Sequence, residues 1–251
     1  MRQVAFLALL APLLLGQAKP VLVPDVSQRD IEIIYSFTGA ELLLFGAILY
    51  PGGRAPNRPA QIAVVVKGPV EPIVLREKQK VAGIWVNADS ARFRSAPAFY
   101  AVATSRPLDQ IVDERTSAIY ELGINNLQLS PADADTPDEA NRFERGLVDV
   151  RQRTGLYAEQ PGAVLITDGV LYRARIRIPA RVPVGTYTAE TFLIQDGRVI
   201  AAAVRDITIR KGGFEQFVAQ AAEDQSVAYG IVAVALSVAL GWAAGALFRR
   251  F

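Results

Sequence analysis

Three arginines are the residues of this chain best suited to bind a small ligand. Arg173, Arg175 and Arg177 alternate with apolar residues, so a β-strand through them would carry three guanidinium groups on one face. The planar guanidinium fork fits the oxygens of sulfite, sulfate or phosphate. Alternating charge is equally the usual pattern of a sheet's solvent face, so the sequence leaves both interpretations open.

A cluster of acidic residues is the other candidate site, in this case for calcium. The cluster lacks the central glycine and the twelfth-position glutamate of an EF-hand loop. Its last two members follow Pro137, which suits the first position of a helix, where the helix dipole favours acidic side chains. We therefore expect a helix start and no metal site from the cluster, which consists of Asp133, Asp135, Asp138 and Glu139.

Enzyme chemistry has few candidate groups in this sequence. The chain contains no histidine and no cysteine, which excludes a Ser-His-Asp triad, thiolate catalysis, disulfides and the usual zinc sites. The adjacent carboxylates Asp113-Glu114 and Glu223-Asp224 would not face one another on a helix, so they do not predict an acid–base pair. Only carboxylate, hydroxyl, lysine or tyrosine chemistry remains, and we expect a protein that is not an enzyme and holds no cofactor.

The charge balance does not indicate a nucleic-acid partner. The chain has 27 lysines and arginines against 25 aspartates and glutamates. Three of the basic residues, Arg2, Arg249 and Arg250, lie at the two ends, and removing them from the 27 leaves 24 basic against 25 acidic residues. The region between the ends is almost neutral and lacks the basic excess that binds polyanions.

The ends of the chain have the features of membrane targeting. Residues 1–18 combine Arg2, an apolar run over 4–15 and small residues before Lys19, which predicts a secretory signal peptide. Residues 227–248 carry no charge, and as a helix of about 33 Å they would cross a hydrocarbon core of about 30 Å. Acidic residues before this span and arginines after it predict a cytoplasmic C-terminus and a domain on the other side of the inner membrane.

Small residues recur along one side of the predicted span. Ala233, Ser237, Gly241 and Gly245 stand at every fourth position and end in a Gly-x-x-x-Gly pattern. Such a ridge lets a second helix approach closely, although an alanine-rich span also produces this spacing by chance. We interpret the ridge as a helix-association face, for a second copy of the chain or for another membrane protein.

Two long stretches have the alternation and turn residues of β-strands. In the first, residues 31–37 and 42–50 predict a hairpin with a buried second strand, and further strands are expected at 62–67, 73–77, 81–86 and 98–104. In the second, Asp168-Gly169 and Asp196-Gly197 predict two hairpins with two-residue turns. Residues 183–187 look like a strand start of an immunoglobulin-like sandwich.

Between these stretches the apolar residues change to a helical period. They recur at helical spacing over 107–122, and Thr136-Pro137-Asp138-Glu139 has the pattern of a capping box that opens a second helix ending before Gly155. The strands on either side form either two sandwiches or one sandwich with a helical insertion. The comparable strand content on both sides favours two.

The predicted fold class is therefore mainly β, with immunoglobulin-like antiparallel β-sandwich modules, an inserted helical pair and one C-terminal transmembrane helix. The expected organisation is a signal peptide at 1–18, an N-terminal β-sandwich module at 19–105, the helical pair at 106–156, a C-terminal β module at 157–211, an amphipathic stalk at 212–226, the transmembrane helix at 227–248 and a cytoplasmic tail at 249–251.

Residues 31–47 contain the chain's most specific motifs, Phe37-Thr38-Gly39 and Phe45-Gly46-Ala47. With the signal sequence, the β-rich region and the single C-terminal span, this stretch resembles a family of alphaproteobacterial transmembrane proteins over nearly the whole chain. The resemblance implies no catalytic residue in this chain. It implies a multispan transporter as partner, because similar proteins are thought to be encoded near sulfite-exporter-like permeases.

These observations favour one function and leave a second open. The first is a noncatalytic accessory protein, anchored in the inner membrane and facing the periplasm, that associates with a membrane protein. The second is an exported module that binds a small anion through Arg173, Arg175 and Arg177.

Overall fold

A computed structural model of the chain describes residues 19–33, 38–53, 56, 60–129, 131–132, 136–212, 218 and 221–248. The predicted signal peptide and cytoplasmic tail lie outside these residues. The strands are β1 (Val21–Val26), β2 (Asp30–Ile33), β3 (Gly39–Leu49), β4 (Gln61–Lys67), β5 (Val70–Val81), β6 (Ile84–Pro97), β7 (Tyr100–Thr104), β8 (Tyr157–Pro161), β9 (Val164–Thr167), β10 (Leu171–Pro179), β11 (Gly185–Gln195) and β12 (Arg198–Lys211). The α-helices are α1 (Leu108–Ile111), α2 (Glu114–Ile119), α3 (Pro137–Arg153) and α4 (Ser226–Phe248).

Two sheets form a β-sandwich. The four-stranded sheet has the order β1-β3-β10-β9, and the six-stranded sheet has the order β2-β12-β11-β4-β7-β8. The pairs β2–β12 and β7–β8 are parallel, and the other pairs are antiparallel. Strands β5 and β6 form a separate two-stranded sheet, and Phe93 of β6 also bridges to Pro131. The prediction of a mainly β protein with one C-terminal apolar helix is confirmed.

The core lies between the two sheets because each sheet turns one apolar side inward. In β10 the residues alternate strictly, with Tyr172, Ala174, Ile176 and Ile178 buried and the intervening residues exposed. Their partners across the core come from the six-stranded sheet, and the two sets form one contiguous cluster. Strand β4 differs, since it is buried from Ile62 to Val66 without alternation. It is a central strand whose two sides are both covered.

The strands of the two predicted β modules are interleaved. Strand β3 pairs with β10 and β4 pairs with β11, so both sheets combine strands from before and after the helical segment. Strands β3 and β4 thereby form part of their backbone hydrogen bonds with late strands. One sandwich with a helical insertion is what forms, and the expected division into separate modules at 19–105 and 157–211 is corrected.

In the predicted hairpin of residues 31–37 and 42–50, the described strands do not pair with each other. Its first part, β2, pairs with β12 in one sheet, while β3 pairs with β1 and β10 in the other. The chain therefore crosses between the sheets before Gly39, which begins β3 with a φ of 117°. A Cβ added at Gly39 would lie 2.8 Å from the carbonyl oxygen of Ile178. Sequence alternation identified the strands but not the sheets to which they belong.

The first predicted helix, at 107–122, is interrupted. Val112 between α1 and α2 is extended and bridges to Gly197, and Asp113 then caps α2 by accepting a 2.6 Å hydrogen bond from the Thr116 amide. The second predicted helix is confirmed as α3. Its N-cap Thr136 accepts a 3.2 Å hydrogen bond from the Glu139 amide, as the capping box requires.

The two Asp-Gly hairpins are confirmed. Asp168 and Gly169 have φ values of 53° and 67°, and Asp196 and Gly197 have values of 51° and 79°. Positive φ at both central residues is the signature of the tight turn that suits the twist of paired strands. At the start of β11, the Tyr187 hydroxyl donates a 2.7 Å hydrogen bond to the Pro183 carbonyl, which resembles the tyrosine corner of immunoglobulin-like sandwiches.

The C-terminal helix α4 includes a segment of 20 residues, Ser226–Gly245, that is long and apolar enough to span a membrane and has no buried side chains. Helical residues 221–224 precede it, and the Tyr229 amide donates to the Gln225 carbonyl at 2.8 Å. Phe214 and Phe217 of the predicted stalk lie outside the described residues.

Candidate functional site

The predicted arginine face forms on the solvent side of β10. Arg173, Arg175 and Arg177 are all exposed, on the side of the four-stranded sheet that faces away from the core. The Arg175 Nε lies 3.6 Å from a carboxylate oxygen of Glu41, and Glu41 is also the register partner of Arg177 in β3. A carboxylate thus stands among the guanidinium groups and competes with any anion for them.

The same sheet face carries an apolar patch beside the arginines. In the pairing register, Phe45 lies between Asp25 and Arg173, and the next row places Ala47 between Val23 and Leu171. Large apolar side chains on this face are exposed to between 41% and 56%; they are Val21, Val23, Phe45, Leu49, Leu165 and Leu171. A soluble sheet face is normally polar, and a contiguous apolar patch marks an interaction site.

A groove runs across this apolar patch. It encloses about 630 Å³ and reaches from Val23 on β1 past Phe45 to Leu165 on β9, with Arg173 and Asp25 at its margin. The arginine prediction therefore located one side of a larger surface. The apolar part was not predicted, because residues 42–50 were expected to form a buried strand. We call this whole surface, made by the solvent side of β1, β3, β9 and β10, the outer face.

Gly46 makes the close packing beneath the outer face possible. A Cβ added there would lie 2.5 Å from the Val23 carbonyl oxygen and 2.6 Å from the Tyr172 hydroxyl oxygen. Tyr172 is the register partner of Gly46, and its buried ring occupies the space that a side chain would need. The Phe-Gly-Ala motif therefore combines an exposed Phe45 with a glycine that the fold requires.

A polar cleft lies at the opposite sheet, between α1, α2 and the ends of β7 and β8. It encloses about 640 Å³ and contains Asp109, Asp113, Glu114 and Glu159 in its wall. Two of these carboxylates already accept backbone hydrogen bonds, Asp113 from Thr116 and Glu159 from Ile124. The Thr116 bonds also lower the pKa of Asp113. These groups hold the surrounding loops in place.

Metal ligands do not cluster in the part of the chain that the structure describes, where no group of three or more acidic side chains could hold an ion. Asp138 and Glu139 lie in the first turn of α3, as expected from Pro137. Asp133 and Asp135, the other members of the predicted calcium candidate, are outside the described residues.

Buried tyrosines connect distant segments through their hydroxyl groups. Tyr100 donates to the Glu121 carbonyl at 2.8 Å and accepts from the Gly123 amide at 2.9 Å. Tyr157 donates to the Pro97 carbonyl at 2.8 Å. Burial raises the pKa of the Tyr157 hydroxyl to about 12 and also raises the pKa of Tyr100. Both stay protonated at neutral pH and act as structural ties.

The long hairpin of β5 and β6 is a feature that sequence analysis missed. Residues 81–86 were expected to form one strand, but Ala82 and Gly83 make a turn with φ values of 49° and 86°. The apolar residues around the turn are exposed; they are Val81, Ile84, Trp85 and Val86. We call residues 70–97 the arm and residues 78–88 its tip. An Ala-Gly pair is a weaker turn signal than Asp-Gly. The alternating pattern around it therefore predicted one continuous strand over residues 81–86.

The small-residue ridge lies on the exposed helix α4. The Ser237 hydroxyl donates to the Ala233 carbonyl at 2.8 Å, which satisfies this polar group within the helix. A Cβ added at Gly241 or Gly245 would meet nothing within 4 Å, so the helix backbone is open to an approaching neighbour at both positions. Helix association through the ridge remains a prediction.

Comparison with known proteins identifies a family. The family described as "Putative transmembrane protein (Alph_Pro_TM)" matches residues 21–250. No curated protein matches the chain. The crystal structure of Spo0M, a sporulation control protein from Bacillus subtilis, aligns at 10% identity and a TM-score of 0.28 over 83% of this chain and 56% of that one, so the chain spans little more than half of its length. Because the family match covers nearly every residue of the β-sandwich and of α4, the chain belongs to this family of transmembrane proteins.

Proposed function

We propose that this protein is a noncatalytic accessory protein of the inner membrane. Helix α4 holds the β-sandwich at the periplasmic side, and the outer face binds a membrane protein, with a multispan transporter as the expected partner. The signal sequence predicted at 1–18 and the arginines after α4 support this orientation.

The observation that carries the proposal is the apolar patch of the outer face. Phe45, Leu171 and Leu165 lie on neighbouring strands and are all exposed, next to a row of arginines. Interface centres are enriched in aromatic residues and arginine, with a polar rim around them. The outer face combines Phe45 at its centre with charged residues at its margin, which is the composition of a protein-binding surface.

The spanning helix offers a second contact to the same partner. Its bare backbone at Gly241 and Gly245 allows a close helix–helix approach inside the lipid. Gly241→Leu with Gly245→Leu should weaken association in a membrane reporter. The matched control is Ala239→Leu with Ala243→Leu, which places the same two leucine side chains on the opposite side of the helix. Equal association in both variants would show that the ridge does not mediate the contact.

Site-specific photocrosslinking in cells tests the outer face. A photoreactive residue at Phe45 should form a specific adduct with a multispan membrane protein. The control is Val204 on β12, an exposed apolar residue of the other sheet. The proposal fails if position 45 gives no adduct, or if positions 45 and 204 give the same pattern.

A second candidate function is anion binding by the arginine face. Arg173 borders the groove, and its exposed guanidinium is placed to meet an anion entering there. Calorimetric titration of the full chain in detergent with sulfite, sulfate and phosphate decides this alternative. Binding should disappear in Arg173→Gln if the alternative holds, and the absence of heat with all three anions removes it.

A further inference from the structure

The tip of the arm carries a group of exposed apolar side chains. Every residue of the tip, 78–88, is exposed, including Ile84 at 68% and Trp85 at 66%. A two-stranded ribbon has no core of its own and is polar when it stands in water. Trp85 and its apolar neighbours at the turn therefore need an apolar environment that the rest of the described chain does not supply.

Helix α3 contacts the arm from its root as far as Glu77 and Asp89, which flank the tip. Arg151 on α3 lies 2.7 Å from the Glu71 carboxylate, and Arg142 lies 3.5 Å from both Glu77 and Asp89. Leu75 packs on the same helix beside Gly146. The ion pairs end where the exposed residues begin, so α3 braces the arm and presents the tip.

The charge of the tip is positive. Lys78 and Lys80 are its only charged residues, and Lys80 is the register partner of Trp85. An aromatic ring with aliphatic neighbours and flanking lysines is the composition that favours the boundary between lipid headgroups and acyl chains. The lysines would meet anionic phospholipid headgroups there.

The root of the arm lies at the end of the sandwich from which the chain leaves for the membrane. In the six-stranded sheet Lys67 is paired with Thr188, and Thr188 with Asp206, so β4 and β12 end on the same side. The arm begins directly after β4, and Pro69 at its root lies against Gly185. Strand β12 continues to Lys211, after which the chain leads to α4. The arm and the anchor thus leave the sandwich at one end.

We propose that the tip of the arm inserts into the headgroup region of the membrane that α4 spans, with anionic phospholipid as its ligand. The span and the tip then form two points of attachment that fix the orientation of the sandwich above the bilayer. This inference rests on the family's membrane anchor and not on the partner proposed for the outer face. A protein docking site on the tip is the competing account.

Fluorescence of the full chain in lipid nanodiscs tests the inference, because the chain has two tryptophans. Trp242→Phe leaves Trp85 as the single reporter. In nanodiscs with phosphatidylglycerol, Trp85 should emit at shorter wavelength than a tryptophan in water, and brominated lipid should quench it several-fold more than a tryptophan at position 204. The position-204 control carries Trp85→Phe, Trp242→Phe and Val204→Trp. Lys78→Glu with Lys80→Glu should reduce the quenching of Trp85 to the control level.

Three results would overturn the inference. Equal quenching at positions 85 and 204 in pure lipid would show that the tip stays in water. Protection of Trp85 only when native membrane extract is added would assign the tip to a protein partner. Unchanged quenching in the charge-reversed variant would exclude anionic headgroups as the ligand. All variants alter exposed positions, so circular dichroism should show the fold of the original chain.

Discussion

Gly46 illustrates how one residue serves both fold and surface. Its missing side chain leaves room for the Tyr172 ring on the inside, and its neighbour Phe45 projects to the outside. The strand can therefore present an aromatic residue to a partner without a gap behind it. These two requirements together account for the adjacent Phe45 and Gly46.

We predict that Gly46→Ala destabilises the sandwich by about 1–3 kcal/mol, since the new methyl group would overlap the Val23 carbonyl and the Tyr172 hydroxyl. Chemical denaturation measures the free energy of unfolding. Ala47→Ser, which adds one atom at the adjacent position, is the matched control. If both substitutions lower the free energy of unfolding equally, close packing at position 46 is not the reason for the glycine there.

Alkaline pH should weaken the fold through its buried tyrosines. The pKa of Tyr157 is about 12 in the folded chain and 10.0 when unperturbed, so between these values the unfolded chain releases its proton first. Stability is complete below pH 10 and falls by about 1.4 kcal/mol per pH unit above it for this group. Tyr157→Phe should reduce the slope of this decline, because it removes the titrating hydroxyl. An unchanged slope in Tyr157→Phe would contradict this assignment.

At the scale of elements, the parts that could be predicted are those specified by neighbouring residues. Asp168-Gly169 and Asp196-Gly197 each determine a turn locally, and Thr136 with Pro137 determines the start of α3. The alternation in β10 likewise placed the three arginines on one face. The apolar patch beside them could not be predicted, because it depends on which strands become neighbours in space.

The arm also could not be predicted from its local sequence pattern. Its residues alternate like those of a strand against a core, but the ion pairs with α3 reach only as far as Glu77 and Asp89, before the tip. We predict that Arg142→Ala increases hydrogen exchange across 76–90 while changing global stability by no more than about 1 kcal/mol, as is usual for partly exposed ion pairs. Arg145→Ala, on the exposed side of the same helix, should leave exchange unchanged. Equal exchange in the two variants would show that Arg142 does not brace the arm.

At the scale of the whole molecule, the interleaved sheets make the sandwich one cooperative unit. Leu44 in β3 is 2% exposed and belongs to the core shared by both halves of the chain. Leu44→Ala should cost about 2–5 kcal/mol and reduce hydrogen-exchange protection in β1 and β11 together. Loss of protection confined to residues 19–105 would instead support two separate modules. The sequence could not decide between these arrangements, because strand content does not specify pairing.

We propose that the β-sandwich lies in the periplasm and is held at the inner membrane by α4, and cysteine accessibility tests this topology most directly. The chain has no cysteine, so a single introduced cysteine is the one thiol of the chain that a maleimide can label. Asp149→Cys on the exposed side of α3 should react with a membrane-impermeant maleimide once the outer membrane is permeabilised, and Phe251→Cys should react only after the inner membrane is opened. Labelling of position 251 before position 149, or of both together while the inner membrane is intact, would contradict the account.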